Sequence, residues 1–393
     1  MSKNNMVPSI RFKEFTNAWE QEKIGNIFTI TRGYVLGKEK ISLEKNAYFK
    51  YPVFSSQTGN NGLMGYYNSY LFDKAITWTT DGIYAGDVNY RDEKFYCTNV
   101  CGVLLNNDGY INLCNAISIN KVSKKHVTKV GNPKLMNNVM KEILFSYSNN
   151  LKEQTNISII FNNINSLITL HQRKLNALEN LKKTLLEKMF PSENSVFPSI
   201  RFKEFTNAWE QERLGEIVDY FNGSSNEKEQ TNEGKFEIVN LNSISISGEL
   251  KPSGKFLHNA FETLKKGDIV MILSDIALGN LLGKSAVIPV DNRYVLNQRV
   301  ALLRKNNSKF NSKFISLFLN KNQSLLFRKG AGSSQLNLSK KEVINFLIFS
   351  TSRNEQDKVS LIFNNINSLI TLHQRKLNAL ENLKKTLLEK MFV

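Results

Sequence analysis

No run of 18 or more apolar residues occurs anywhere in the 393 residues, so no membrane-spanning helix is expected. The opening stretch MSKNNMVPSIRFKEF lacks the apolar core of a secretory signal, and a cytoplasmic location is the expectation. Cysteine is scarce: Cys97, Cys101 and Cys114, an odd number confined to the first half, which points to free thiols. Their spacing with His126 matches no common zinc pattern, and Cys97 and Cys101 fall inside the strand-like run FYCTNVCGVLL, so we read them as core residues and expect no metal.

Catalytic motifs are equally thin. Gly279-Asn280-Leu281-Leu282-Gly283-Lys284-Ser285 resembles a phosphate-binding loop but has three residues between its glycines where four are needed to wrap a phosphate in backbone N–H groups, and reads instead as a hairpin. Asp81, Asp87 and the run Asp92-Glu93-Lys94 are spaced too loosely for a nuclease metal cluster and read as turns flanked by solvated charge. There is no glycine-rich methyl-donor loop and no Asn-Pro-Pro-aromatic tetrapeptide; Asn132-Pro133-Lys134 comes nearest and fails. The candidate catalytic set is therefore empty.

What the chain does have is positive charge and repetition. Fifty-two Lys and Arg face 35 Asp and Glu, a formal +17, the electrostatic footprint of a polyanion binder. The stretch IFNNINSLITLHQRKLNALENLKKTLLEKMF runs from Ile160 to Phe190 and returns unchanged from Ile362 to Phe392. Ile157, Ile164, His171, Leu178 and Leu185 recur every seven residues, with Phe161, Ile168, Leu175 and Met189 in the intervening seam positions. The copy repeats this with Val359, Ile366, His373, Leu377, Leu380 and Leu387. The spacing predicts a coiled-coil helix of ~45 to 50 Å, in which the paired histidines set register. Outward Asn162, Asn163, Gln172, Arg173, Asn176, Glu179 and Lys183 are also identical between copies, which a packed seam alone does not require. Either the duplication is recent or both outer faces meet the same partner.

A second repeat, PSIRFKEFTNAWEQE, occupies Pro8 to Glu22 and Pro198 to Glu212. The order is thus short segment, unique region, long helix, twice over, with boundaries at 1–22, 23–151, 152–190, 191–212 (which includes the polar linker Ser192 to Ser195), 213–351 and 352–393. The fold class expected is α+β: two unique regions with mixed, curved β-sheet cores and two long helices. In the first region AITWTT and FYCTNVCGVLL read as strands, residues 58–62 and Asp81-Gly82 as turns, and PKLMNNVMKEILFSYS as helix. In the second, FEIVNL, GDIVMILS, KSAVIPV and RYVLNQRVALLR read as strands and KFISLFLNKNQSLLFRKG as one helix.

Reading DNA sequence requires side chains that bond base edges, above all Arg and Lys to guanine and Asn and Gln to adenine. The turn-rich stretches offer Arg32, Ser55, Ser56, Gln57, Asn60, Tyr84, Asn89, Arg91 and Lys94 in the first region. The second offers Ser225, Asn226, Asn240, Asn242, Ser274, Gln298, Arg299, Arg328, Lys329, Ser333, Ser334 and Gln335. This set is a statement about location, since any one of them can equally be a solvated loop residue.

The order of elements, the paired PSIRFKEFTNAW segments, YPVFSSQTGNNGLMGYY, TTDGIYAGDV, LKKGDIVMILSD, GSSQLNLSKKEV and above all NEQDKVSLIFNNINSLITLHQRKLNALENLKKTLLEKMF resemble the DNA-specificity subunit of type I restriction-modification systems. The resemblance covers essentially the whole chain. It implies two target recognition domains, each reading half of a split double-stranded DNA site, and two conserved helices packed antiparallel with pseudo-twofold symmetry as a ruler between them. The unlike unique regions predict an asymmetric site, and the helix length predicts half-sites about one DNA turn, ~34 Å, or slightly more apart. It implies two methyltransferase subunits docked on the helices and two restriction/translocase subunits in the full complex. S-adenosylmethionine, ATP and magnesium would then sit on those partners, and none on this non-catalytic chain. Two rival readings are a stand-alone methyltransferase or nuclease, which the missing motifs disfavour, and a coiled-coil adaptor for proteins, which would show no salt-dependent DNA affinity.

Overall fold

A computed structural model describes residues 6–56, 60–192, 195–276 and 280–393. The chain divides into two compact units, Met1–Arg173 with Gln374–Val393, and Lys174–His373. Two helices of 38 residues, Leu151–Lys188 and Arg353–Lys390, contribute a stretch to each unit. At ~1.5 Å per residue each is ~57 Å long, longer than the repeat alone suggests, because the non-identical lead-ins from Leu151 and Arg353 are helical too.

In the first unit, Thr29–Arg32, Cys101–Leu105, Ala75–Thr79 and Val88–Arg91 form an antiparallel four-stranded sheet in that order. Ala75–Thr79 is buried along its whole length, as a central strand covered on both faces should be. Trp78 lies across from Gly102, where an added Cβ would meet the indole at 2.2 Å, and its Nε1 donates to Leu135 O at 3.0 Å. A three-stranded sheet of Leu63–Tyr67, Tyr51–Phe54 and Tyr96–Cys97 stands beside it, the last pair parallel. The core gathers Ile24, Phe28, Ile76, Leu104, Ile119 and Phe145, with a satellite of Phe54, Phe95, Cys97, Cys101 and Val103. All three cysteines are free and buried.

The second unit repeats this topology with unlike residues. Val218–Asn222, Val300–Lys305, Ile269–Ile272 and Ser285–Val287 make the four-stranded sheet; Phe256–Leu257, Phe236–Val239 and Tyr294–Leu296 make the three-stranded one, again with one parallel pair. A further ribbon pairs Ser274–Ile276 with Gln335–Asn337.

Three sequence expectations change. FYCTNVCGVLL is two strands, Tyr96–Cys97 and Cys101–Leu105, broken by a turn, and RYVLNQRVALLR breaks equivalently at Asn297–Arg299. PKLMNNVMKEILFSYS is helical only at Asn137–Glu142 and ends as the strand Leu144–Tyr147, drawn into antiparallel pairing with Glu20–Lys23. KFISLFLNKNQSLLFRKG is two helices, Ser312–Lys321 and Gln323–Arg328, meeting at Asn322. The Gly279–Ser285 stretch lies between the ribbon strand Ser274–Ile276 and Ser285–Val287; the latter pairs antiparallel with Ile269–Ile272, so the connection is longer than the expected hairpin turn, and Gly279 itself lies outside the described residues.

The short repeated segment explains itself through its contacts. Arg11 grips Glu153 at the start of the first long helix with bonds of 2.6 and 2.8 Å, and Arg201 grips Glu355 at the start of the second with 2.7 and 2.8 Å. The Ile10 N–H donates to Lys390 O and the Ile200 N–H to Lys188 O, both at 2.9 Å, so each segment also satisfies a carbonyl that the end of a helix leaves without an intrahelical partner. Trp19 meets Phe392 edge-on at 5.7 Å, and Trp209 meets Phe190 at 5.9 Å. Phe392 also packs on Phe161 in the first unit and Phe190 on Phe363 in the second. In each unit the end of one long helix therefore packs on the beginning of the other, which is antiparallel packing. The expected seam residues Ile164, Leu175, Ile366 and Leu377 are buried, and His171, Leu178, Leu185, His373, Leu380 and Leu387 half-buried.

The Gln of the lead-in binds the unique region. Gln154 Oε1 accepts from the side-chain amides of Asn112 and Asn115, while Gln356 Oε1 accepts from the Asn311 backbone N–H, so the helices Leu113–Ser123 and Ser312–Lys321 are fastened at their N-caps to the long-helix starts. Lys121 Nζ donates to Phe392 O and Lys321 Nζ to Pro191 O, completing the matched set. Four matched pairs of apolar residues stay exposed on the long helices: Ile159 and Leu361, Leu167 and Leu369, Leu170 and Leu372, Leu181 and Leu383. Among the described residues no helix is long and apolar enough to cross a membrane.

Candidate nucleic-acid interface

In the second unit the break between Tyr294–Leu296 and Val300–Lys305 leaves Gln298 and Arg299 exposed and Asn297 half-buried. Asn226 lies against it: its N–H donates to Asn297 Oδ1 at 3.4 Å and its amide to Leu296 O at 3.2 Å. The Asn297 N–H donates to Val239 O at 3.1 Å, placing Asn240 and Asn242 alongside, where Asn240 caps the turn Leu241–Ser243. On the other side the Leu273 N–H donates to Arg299 O at 3.0 Å and leads into the ribbon, where Ser274 bonds Asn337 and Gln335. A continuous rim results, in which Ser225, Asn242, Gln298, Arg299, Ser333 and Ser334 are exposed. Ser274 is buried and serves to tie the ribbon together. Arg328 and Lys329 stand exposed at the end of the helix leading to it, with Lys329 paired to Glu342 at 2.9 Å.

The first unit builds the equivalent rim around the break Thr98–Val100. Thr98 Oγ1 bonds Ser55 Oγ at 2.9 Å, and the Ser55 N–H donates to Gly62 O, which brings Ser55, Ser56 and Asn60 together. Arg32 is exposed at the end of its strand, and the Gly33 N–H donates to Cys101 O. Tyr84 is exposed in the turn Gly82–Gly86 next to it, since the Thr80 N–H donates to Val100 O and the Gly86 N–H to Thr79 O. Gln57 lies outside the described residues.

Three candidates of the first region fall elsewhere. Arg91 is an interior residue: its guanidinium lies 3.5 Å from the Phe54 ring centroid and donates to Thr77 Oγ1 and Asn61 O, and burial draws its pKa down to about 10. It supports the rim from beneath. Asn89 is half-buried in the strand opposite Thr77, and Lys94 lies over the Tyr70 ring at 4.7 Å. The loose acidic set is dispersed into ion pairs, Asp81 with Lys134, Asp87 with Lys124 and Asp92 with Lys74. Among the described residues no group of three or more His, Cys, Asp or Glu side chains could hold a metal ion.

Sequence reasoning missed the break residues Thr98, Asn99 and Asn297, and missed the glycines behind them. A Cβ on Gly33 would come within 1.9 Å of Cys97 O, and one on Gly223 within 2.0 Å of Asn297 O, so only glycine lets the first strand pass this close to the break. The signal was present. Gly33 and Gly223 share the 190-residue offset of the short repeat, although the residues around them differ.

Two like-folded regions with unlike rims, carried on one duplicated helical scaffold, define a tandem-repeat α+β recognition protein. The sequence model for the type I restriction modification DNA specificity domain matches residues 17–180 and 206–382, and the chain belongs to that family. A protein of Mycoplasma pneumoniae described as a type I specificity subunit is 42% identical over 130 residues, which cover 32% of this chain and 34% of that protein. The specificity subunit of a type I restriction enzyme of Methanocaldococcus jannaschii, MjaVIII, is 22% identical over 252 residues, covering 61% of this chain and 59% of its own. The chain thus aligns with about a third of the length of the first relative and well over half of the second. The crystal structure of the S subunit of a type I restriction-modification system from M. genitalium shares the fold, with a TM-score of 0.73 over 99% of each chain at 19% identity.

Proposed function

We propose that this chain is the non-catalytic specificity subunit of a type I restriction-modification complex, reading a bipartite, asymmetric double-stranded DNA site with its two rims and directing adenine methylation or cleavage. The observation that carries this reading is the pairing of one topology with two different rims on an otherwise identical scaffold. Identical scaffolding suits two copies of one partner, whereas unlike rims suit two unlike half-sites. The net charge of +17 supports a polyanionic ligand.

Two methyltransferase subunits are the proposed partners of the long helices, and the four matched pairs of exposed apolar residues are surfaces that such a duplicated partner would cover. Two restriction/translocase subunits would join in the full complex, and S-adenosylmethionine, ATP and magnesium would be held by the partners. The complex would work in the cytoplasm, where its DNA is. Helix length is proposed to set the gap between half-sites, so a four-residue insertion in one long helix should shift the spacer that is methylated.

The test is co-expression with the cognate methyltransferase in a host lacking other adenine methylation, followed by mapping of methylated adenines. A split, non-palindromic motif is expected. Methylation or cleavage by this chain alone would favour the rival enzyme reading, and absence of salt-dependent DNA binding by the complex would favour the adaptor.

A further inference from the structure

Resting on that reading, we infer that Glu249 is a positioning residue that fixes the second recognition region on the long helices and so narrows the range of DNA spacers accepted. Its carboxylate is where three elements of the second unit converge. Lys313 Nζ, on the helix Ser312–Lys321, reaches both oxygens at 3.0 and 3.2 Å. Asn367 Nδ2 on the second long helix donates at 2.6 Å, and Lys182 Nζ on the first long helix stands 3.7 Å away.

The segment bearing Glu249 is built to hold it there. The Ser245 N–H donates to Glu249 O, the Gly248 N–H to Ser245 O, and the Glu249 N–H to Ser245 Oγ, closing a tight turn. Gly248 takes φ +76°, and a Cβ on it would come within 2.1 Å of the Asn320 side-chain nitrogen, so the turn is pressed onto the helix below. Ile246 of the same turn is 69% exposed and adds no buried apolar anchor, so the carboxylate supplies the polar attachment. Ten residues lead from Asn240 on the rim to Glu249, and Ile244 and Leu250 within or beside them pack in a core built from residues of both sheets, among them Val239, Tyr294, Val270 and Val300. A shift at the carboxylate is thereby passed to the rim.

The first unit makes the contrast. A cavity of about 510 Å³ lies beside Glu249, lined by Lys182, Leu186 and Asn367 among others. Its counterpart, about 620 Å³, is lined by the matching Lys384, Leu388 and Asn165, and among the described residues no side chain from 23–105 reaches it. The helices offer the same groups twice, and among the described residues lining the two cavities the second recognition region alone answers with an acid.

The experiment uses the complex with the methyltransferase and duplexes whose cognate half-sites are separated by spacers differing in single base pairs. Wild type should methylate one spacer best. Glu249→Gln should lower its preference over neighbouring spacers about fivefold, with the rate on the best spacer and the thermal midpoint little changed. Lys313→Glu should loosen it similarly. Wild-type discrimination in Glu249→Gln would overturn the inference alone. No spacer discrimination by the wild type would overturn both this inference and the DNA-reading proposal beneath it.

Discussion

Removing Arg11 should destabilise the chain through the carboxylate it leaves behind. Glu153 has a side chain with no solvent exposure and Arg11 one of 10%, and two charge-assisted bonds join them. Arg11→Ala strands a buried carboxylate, a change that costs about 3 to 5 kcal/mol in proteins generally. For a cooperative unit of this size each kcal/mol moves the midpoint by about 2 to 4 °C, so a drop of roughly 6 to 20 °C is expected by calorimetry. The pH dependence supplies a second, sharper signature. Burial raises the Glu153 pKa, but the hydrogen bonds and charge of Arg11, with the polar groups of Ser148 and Trp19 nearby, outweigh it, and the net shift is below the ordinary 4.5. A depressed carboxylate stabilises the fold above its unfolded pKa and loses that contribution as pH falls below about 4.5. Without Arg11, burial alone would raise the pKa, so the variant should lose stability as pH rises from 4 to 7 relative to wild type. The sign reverses. A midpoint within 3 °C of wild type at pH 7, or a deficit that does not grow with pH, would refute the argument.

Arg201→Ala should reproduce the pH 7 effect through Glu355, which is equally buried, and a much smaller loss than for Arg11 would break the proposed equivalence of the joints. Arg299→Ala, at an exposed rim position, should weaken cognate DNA by about 1 to 3 kcal/mol in a titration while leaving the midpoint within a degree or two. Arg91→Ala should do the reverse, lowering the midpoint because Phe54 and Asn61 lose the guanidinium between them, as a melting curve will show. Gly223→Ala should perturb folding of the second unit, since its methyl group would meet Asn297 O at 2.0 Å, and retention of the wild-type melt would argue against a close approach there.

The long helices were legible because their seam repeats over five heptads, a pattern that little else in sequence imitates. The partner of the short segment was not. Nothing in PSIRFKEFTNAWEQE says that Arg11 will find Glu153 across 142 residues, since an Arg in a charged, proline-led stretch ordinarily points to water. Arg91 failed for the converse reason: beside Asp92, Glu93 and Lys94 it looks solvated, yet a strand alternates its faces and turned this one side chain inward over Phe54. The turn-rich stretches were legible as turns, but the breaks at Thr98–Val100 and Asn297–Arg299 were hidden inside apolar runs that read as unbroken strands. FYCTNVCGVLL conceals a corner because its turn is held by backbone bonds, from Thr98 N–H to Phe54 O and Cys101 N–H to Thr98 O, rather than by glycine or proline.

The joint between short segment and helix end is made twice, and the two versions differ in their entropy. Ile200 lies 12 positions from its acceptor Lys188, and Ile10 lies 380 positions from Lys390 (390 − 10). Bringing the distant pair together from an unfolded chain costs about 3 kcal/mol more, from (3/2)RT ln(380/12). The same residues thus form one tethered and one untethered clasp of unequal strength. The untethered one, joining residues 8–19 to the helix end at 387–392, is where the folded chain should first come apart.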